Sequence, residues 1–259
     1  MLANYHTHTT RCQHAHGTDE EYVLSAIANG LTTLGFSDHG PYPYTDYRSR
    51  VRMTLDQRPE YVESLRQLKR KYQGQIEILI GYEYEYFPEY LPFLRAAADE
   101  ADYLLLGSHF ERSEKGFFFG GCKTPEEAKR YADLTIEGME TGLYAYLAHP
   151  DFFLYEYQRF DEGAEAVSRQ ICEAAKRLHM PLEYNLYGVY KKEQGVAGLG
   201  YPCPEFWKIA AETGCDAIIG CDAHWPEAIS AQRMRAAADE LQAQGLHVVP
   251  RLTLSKKLV

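Results

Sequence analysis

Short apolar runs alternate along this chain with longer stretches of helical periodicity, and that alternation sets the expected elements. The runs fall at residues 1–5, 33–37, 76–80, 103–106, 144–148, 181–185 and 217–220. Most are apolar at nearly every position, as parallel strands covered on both faces are. Helical patterns occupy residues 19–29, 59–72, 88–100, 162–178, 204–213 and 226–244, and a further helix starts at Thr124-Pro125. Thr18 or Asp19 stands where the first helix needs an N-cap, Gly30 and Gly74 stand where helices stop, and Pro125 takes a favoured first-turn position. Tyr61, Leu65, Leu68 and Tyr72 share one helix face. Residues 246–249 read as a short strand after the last helix. Segments 41–58 and 188–200 are long and polar and read as loops, while the aromatic, Gly-rich stretch 116–121 reads as a hairpin or lid.

Strand followed by helix recurs about seven times without a linker, which predicts one α/β domain over residues 1–259, built as a parallel barrel. An open doubly wound sheet is the alternative, but it would bring only about two or three strand ends together. The composition, 45% hydrophobic and 25% charged, is that of a soluble globular protein. Lys and Arg number 27 against 37 Asp and Glu, a net charge of −10, which argues against a nucleic-acid partner because that needs a basic face. A small phosphorylated substrate stays open, since a metal cluster would supply positive charge locally. No apolar run approaches the ~18–20 residues of a membrane span. The start of the chain has no basic n-region, and six cysteines are scattered without a CxxC pair. The expectation is therefore a cytoplasmic location and free thiols.

The candidate chemistry sits where the predicted strands end. The first run leads into Tyr5-His6-Thr7-His8, the second into Asp38-His39-Gly40, and the third into Gly81-Tyr82-Glu83. The next two lead into Gly107-Ser108-His109 and Ala148-His149-Pro150-Asp151, and the seventh into Cys221-Asp222-Ala223-His224. Side chains alternate along an extended strand, so His6 and His8 point the same way, a natural first grip on a divalent ion. A single His-x-His is ordinary; its repetition at the same end of successive strands is not. Of ten histidines, seven lie at or just past a strand end, His14 being in the loop beyond the first. The others have plainer readings: His16 in solvent, His179 at a helix C-terminus, and His247 at the start of the last strand. Eight or nine nitrogen and oxygen ligands exceed the roughly four of one tetrahedral zinc and predict two to three divalent ions, Zn, Mn or Fe. Cys12 and Cys221 lie beside ligands and could equally well pack or coordinate.

Taken together, the HTH, SDHG, GYE, GSHF, AHPD and GCDAH motifs resemble the PHP (polymerase and histidinol phosphatase) family over essentially the whole chain. The stretch RCQHAHGTDEEYVLSAIANGLTTLGFSDHGPYP is similar to the histidinol-phosphatase branch. The resemblance implies a distorted, TIM-like (β/α)7 barrel with a trinuclear site. One ion would take His6, His8, Glu83 and Asp222; a second would share Glu83 and add His109 and His149; a third would take His14, His39 and His224. Glu83, Asp222 and His224 would be the catalytic members. Glu85, Asp38 and Asp151 could support the ligands from behind, though the two aspartates could equally well cap turns.

The implied reaction is phosphomonoester hydrolysis, converting L-histidinol phosphate and water to L-histidinol and phosphate by attack of a metal-bridging hydroxide. For the phosphate, Arg159 is the first choice of cation because guanidinium binds phosphate bidentately, with Arg11 and Lys191 or Lys192 behind it. The loop after the sixth strand, Asn185-Leu186-Tyr187-Gly188-Val189-Tyr190-Lys191, departs from the branch, which has a Ser or Thr before the glycine and an Arg soon after. That departure bears on the substrate more than on the metals. The rival readings are a phosphodiesterase or nucleotide phosphatase of the same family, an amidohydrolase, and a non-catalytic metal-binding module. The amidohydrolase often uses a bridging lysine, and no lysine lies at a predicted strand end. The module would be expected to have lost ligands, and none is missing.

Overall fold

The structure is a computed structural model and describes residues 2–254; Met1, at the head of the first expected strand, lies outside them. Eight parallel strands are ordered as they occur in the chain: β1 (Ala3–Asn4), β2 (Thr33–Phe36), β3 (Glu77–Tyr84), β4 (Tyr103–Leu106), β5 (Tyr146–Leu147), β6 (Leu182–Asn185), β7 (Asp216–Gly220) and β8 (His247–Val248). The helices between them are α1 (Asp19–Ala28), α2 (Arg58–Lys71), α3 (Leu91–Glu100), α4 (Pro125–Glu140), α5 (Glu162–Leu178), α6 (Leu186–Gln194), α7 (Pro204–Thr213) and α8 (Ala231–Ala243).

Local chemistry explains most helix ends. Thr18 and Glu21 form a reciprocal capping box on α1, as Thr124 and Glu127 do on α4. The Asp161 side chain caps α5, and Gly214 in the left-handed region closes α7. Two expectations need correction. Segment 188–200, expected as a loop, begins inside α6, because the Asn185 side chain caps the helix by accepting from Gly188 N at 2.8 Å. The expected helix 226–244 is a short 3-10 turn (Pro226–Ala228) followed by α8, which starts afresh on a Ser230 cap.

The barrel is closed unevenly, which is the distortion. On one edge β7 pairs with β6; on the other it pairs with β8 at its start, Asp216 opposite His247. Past its end, that second edge meets the extension of β1 instead. His8 N donates to Ala223 O at 2.9 Å, and Ala223 N to His6 O at 3.1 Å. Between the two contacts, the Asn4 side chain accepts from Cys221 N at 2.8 Å. Seven strands thus close at the carboxyl end and an eighth is wedged in at the other. Alternate strand residues point in and out. Ala3, Tyr5, Tyr103, Leu105, Tyr146, Ala148 and Ile218 fill the interior. Leu104, Leu106, Leu147, Leu182, Ala217 and Ile219 face the surrounding helices. The same alternation carries Glu83, Glu183 and Asp222 inward above that interior layer.

Candidate metal centre

The structure brings all nine sequence-predicted ligands to the carboxyl mouth of the barrel. Their stations are the extension of β1 (His6, His8), the loop after it (His14), the ends of β2 and β3 (His39, Glu83), and the segments after β4, β5 and β7 (His109, His149, Asp222, His224). His6 Nε2 and His8 Nε2 are 3.1 Å apart. Asp222 Oδ1 lies 2.9 Å from His8 Nε2 and 3.4 Å from His6 Nε2. Glu83 bridges two groups. Its Oε2 is 3.1 Å from His39 Nδ1 and 3.4 Å from His6 Nε2, while Oε1 is 2.9 Å from His149 Nε2 and 3.6 Å from His109 Nε2. His14, the most exposed ligand, stacks on His224 with ring centroids 4.9 Å apart.

The backbone supports these positions at a cost. His149 and Asp222 adopt positive φ, 30° and 47°, a region non-glycine residues enter at about 1–3 kcal/mol. Glycines make the room. A Cβ on Gly107 would come within 2.2 Å of Glu83 Oε1, and one on Gly220 within 1.8 Å of Glu183 Oε1.

Glu183, which the sequence reading did not single out, anchors the centre from behind. Its fully buried carboxylate accepts from His6 Nδ1 at 2.8 Å, Tyr146 Oη at 3.2 Å, His149 N at 3.1 Å and Asn185 Nδ2 at 2.8 Å. With Nδ1 donating, the His6 Nε2 lone pair faces the centre. The available signal was an acid inside an otherwise apolar strand, two residues before Asn185 and so on its face. Glu85 accepts from His109 Nδ1 at 3.1 Å and is itself held by both terminal nitrogens of buried Arg52 at 3.0 Å. Asp38 takes the Thr9 hydroxyl and His39 N and lies 3.4 Å from His8 Nδ1. Asp151 instead accepts from Cys203 N at 2.6 Å, tying down the chain before α7, and burial raises its pKa to about 6.

The donor set passes a direct test for cations. Glu83 Oε2 and Asp222 Oδ1 are buried without a hydrogen-bond partner, although imidazole nitrogens crowd them, and so are His8 Nδ1 and His149 Nδ1. Ligand atoms of His6, His8 and Glu83 lie within 4.8 Å of one another, as do those of His6, His149 and Asp222, and of His8, His39 and His224. The Cys12 thiol falls in the same range of His14 and His224. Lone pairs converging without intervening protons are what a divalent ion requires.

The electrostatics agree. Burial opposes protonation of His6 and His8, but the carboxylates of Glu183, Asp222 and Glu83 around His6, and those of Asp222 and Asp38 beside His8, hold both pKa values well above the ordinary imidazole value. Burial pushes His39 well below it, and pushes His224 down to about 3 with the help of the His8 charge. Burial disfavours the Glu83 and Asp222 anions, yet the imidazoles of His109 and His6 for Glu83, and of His6 and His8 for Asp222, hold both well below the usual carboxylate range.

Above the ligands opens a cavity of about 280 Å³, walled by Phe110, Phe118, Phe152, Tyr187 and Tyr201. Tyr187, from α6, stacks on His224 with centroids 4.7 Å apart. The cations expected to hold phosphate do not reach this cavity. Arg159 is exposed and outside its wall. Arg11 is engaged by Asp19 and Glu60 at 2.7–2.9 Å. Lys191, which is not among the cavity-lining residues, holds its Nζ 5.7 Å from the Tyr187 ring centroid, and Lys192 Nζ donates to Pro202 O at 2.8 Å. The arginines that do line the cavity are Arg50 and Arg52, both in segment 41–58.

A parallel barrel whose strand ends converge on such a donor set defines a class, the TIM-like metallohydrolases. The particular family follows from comparison: a model described as "PHP domain" matches residues 4–186, and the chain belongs to that family. A "Probable histidinol-phosphatase" of Deinococcus radiodurans is 27% identical over 239 residues, covering 87% of each chain. The histidinol-phosphatase of Bacillus subtilis is 28% identical over 121 residues, 43% of this chain and 45% of that one. The histidinol phosphate phosphatase of Lactococcus lactis, solved with Zn, L-histidinol and phosphate, superposes with a TM-score of 0.72 at 18% identity, over 96% of this chain and 95% of its own. At that identity the likeness is one of fold.

Proposed function

We propose that this chain is a divalent-metal phosphomonoesterase that hydrolyses L-histidinol phosphate to L-histidinol and phosphate. The observation that carries the reading is the pair of buried, unpartnered carboxylate oxygens, Glu83 Oε2 and Asp222 Oδ1, set among six imidazoles beneath a cavity of small-molecule size. The family membership and the relatives' names support the choice of substrate. His6, His8, Glu83 and Asp222 would hold one ion, Glu83, His109 and His149 a second, and His14, His39 and His224 a third. Ions bound there would supply Lewis acidity to phosphoryl oxygens and a water nucleophile at neutral pH.

The chain's own residues do the rest. Glu183 and Glu85 fix the orientations of His6 and His109 from behind, and Glu83 ties two ligand groups into one rigid unit. The aromatic wall excludes water and offers ring faces on which a planar imidazole can stack. The partner is thus a small phosphorylated molecule rather than nucleic acid. Among the described residues no helix is long and apolar enough to cross a membrane, and a cytoplasmic location accords with a biosynthetic substrate.

Purified, metal-loaded protein assayed against L-histidinol phosphate, other phosphomonoesters, diesters and amides tests the reading. Turnover of L-histidinol phosphate above the rest, abolished by a chelator and restored by metal, is expected. Preference for a diester or an amide, or turnover indifferent to chelation, would overturn it.

A further inference from the structure

An enzyme of this kind faces an electrostatic problem at its mouth. Its ligands supply only acceptors, so phosphate oxygens turned away from the ions need a donor from elsewhere. The cations expected from the sequence lie outside the cavity lining, and Arg11 and Lys192 are already engaged by other partners. Of the two arginines lining the cavity, Arg52 is buried and engaged on every side. Its Nε donates to Glu114 at 2.7 Å, its terminal nitrogens to Glu85 at 3.0 Å, and Nη1 also to Gly40 O at 3.1 Å. Arg50 is exposed and, among the described residues, belongs to no ion pair.

Arg50 is nonetheless not on a loose loop. The segment 49–53 crosses the mouth as a strap pinned on both sides of it. The Gln13 side chain, next to His14, donates to Ser49 O at 3.1 Å and to Arg52 O at 2.9 Å. The Ser49 hydroxyl donates to Glu114 at 2.8 Å and accepts from Val51 N at 3.2 Å. Met53 N donates to the carbonyl of His39 at 3.4 Å. Arg52 itself is clamped to the carboxylate that holds His109. The strap is therefore registered to the elements carrying His14, His39 and His109, and it presents one unpaired guanidinium at the cavity rim.

We propose that Arg50 is the phosphate-reading residue of this site, its guanidinium gripping the monoester oxygens that face away from the metal ligands. The inference rests on the phosphomonoesterase reading and deepens it: a cation there favours a dianionic monoester over a singly charged diester. It also explains how the chain dispenses with an arginine in the loop after β6, where α6 places Tyr187 instead.

The test measures inhibition of the metal-loaded enzyme, with L-histidinol phosphate as substrate, by two product probes: inorganic phosphate and L-histidinol. Because a lost charge-assisted bidentate contact weakens anion binding by about tenfold or more, R50Q is expected to raise KM and the phosphate inhibition constant by that factor. Its metal content and its inhibition by L-histidinol, which has no phosphate, should match the parent, and R50K should recover part of the loss. R48Q, two residues away and absent from the cavity lining, should change neither constant. An unaltered phosphate constant in R50Q, or equal weakening towards both probes, overturns the assignment. If the wild type turns over no L-histidinol phosphate, the functional reading fails separately. Calorimetric titration of metal-loaded wild type and R50Q with inorganic phosphate then judges Arg50 alone: tighter binding by the wild type supports it, and equal or absent binding overturns it.

Discussion

Replacing Glu183 by Gln is the sharpest probe of how the centre is held, because the change is isosteric and removes none of the proposed ligand atoms. The carboxylate accepts four hydrogen bonds: Oε1 from His6 Nδ1 and Tyr146 Oη, and Oε2 from His149 N and Asn185 Nδ2. A glutamine presents one oxygen and one NH2, so whichever way it turns at least one N–H meets a donor, since of the four partners only the Tyr146 hydroxyl can simply rotate to accept. Asn185 cannot flip to compensate, because its Oδ1 caps α6 and its Nδ2 also reaches Asp222 at 3.1 Å. If the NH2 faces His6, the imidazole either loses its partner or switches tautomer and turns a proton towards the centre. Losing a charge-assisted hydrogen bond costs about 1.5–3 kcal/mol, which corresponds to roughly a 10–100-fold loss of metal affinity. Competition with a graded series of chelators, read out by metal content, measures this, with circular dichroism confirming that E183Q is folded. Metal affinity within about twofold of wild type, well inside the loss expected when such a partner goes, would refute the claim that Glu183 sets the His6 orientation.

Four further outcomes follow from the same geometry. Arg52→Met strands the buried Glu85 carboxylate and should destabilise the fold by about 3–5 kcal/mol in chemical denaturation, with R52M/E85M recovering much of it; a loss under about 1 kcal/mol would mark the pair as a surface-type ion pair instead. Gly107→Ala puts a Cβ where Glu83 Oε1 now lies, so the variant should fold but retain fewer ions per chain than wild type, and a full complement by elemental analysis contradicts this. Metal uptake should release protons and weaken as pH falls: the carboxylates around His6 and His8 raise their pKa values, so acid fills with protons the lone pairs that metal needs, and loading that is flat from pH 8 to about 5 would contradict the sign. Stripping the ions should also lower the melting temperature, since ligands that bind only the folded state stabilise it by mass action, and a melting temperature indifferent to the chelator would count against a site formed from the folded barrel.

Much of the centre was legible because its signals are local. A short, nearly continuous apolar run marks a strand, a capping residue or glycine marks where a helix starts or stops, and a histidine just past an apolar run must lie at a barrel mouth if the runs form a barrel. His6, His8, His39, His109, His149 and Asp222 all declare themselves in that way. The α6 helix was hidden by Gly188 and the charged Lys191-Lys192-Glu193 run, because its deciding feature is the Asn185 cap, and an asparagine at a strand end suggests a turn as readily as a helix. Which cations line the cavity was hidden for a different reason. Nothing in the sequence says that Arg11 meets Asp19 and Glu60, or that segment 49–53 lies across the opening.

By itself, then, the order of residues determined the alternation of strand and helix, and with it which side chains are carried to the mouth, because those depend on spacings of a few residues. Only the tertiary structure decided the seam where β1 meets β7, the partner of His6 lying 177 residues away in Glu183, and the fact that Arg50 rather than Arg159 or Arg11 lines the cavity. Those contacts depend on barrel curvature and on which polar groups compete for one another in three dimensions, and no local pattern encodes that competition.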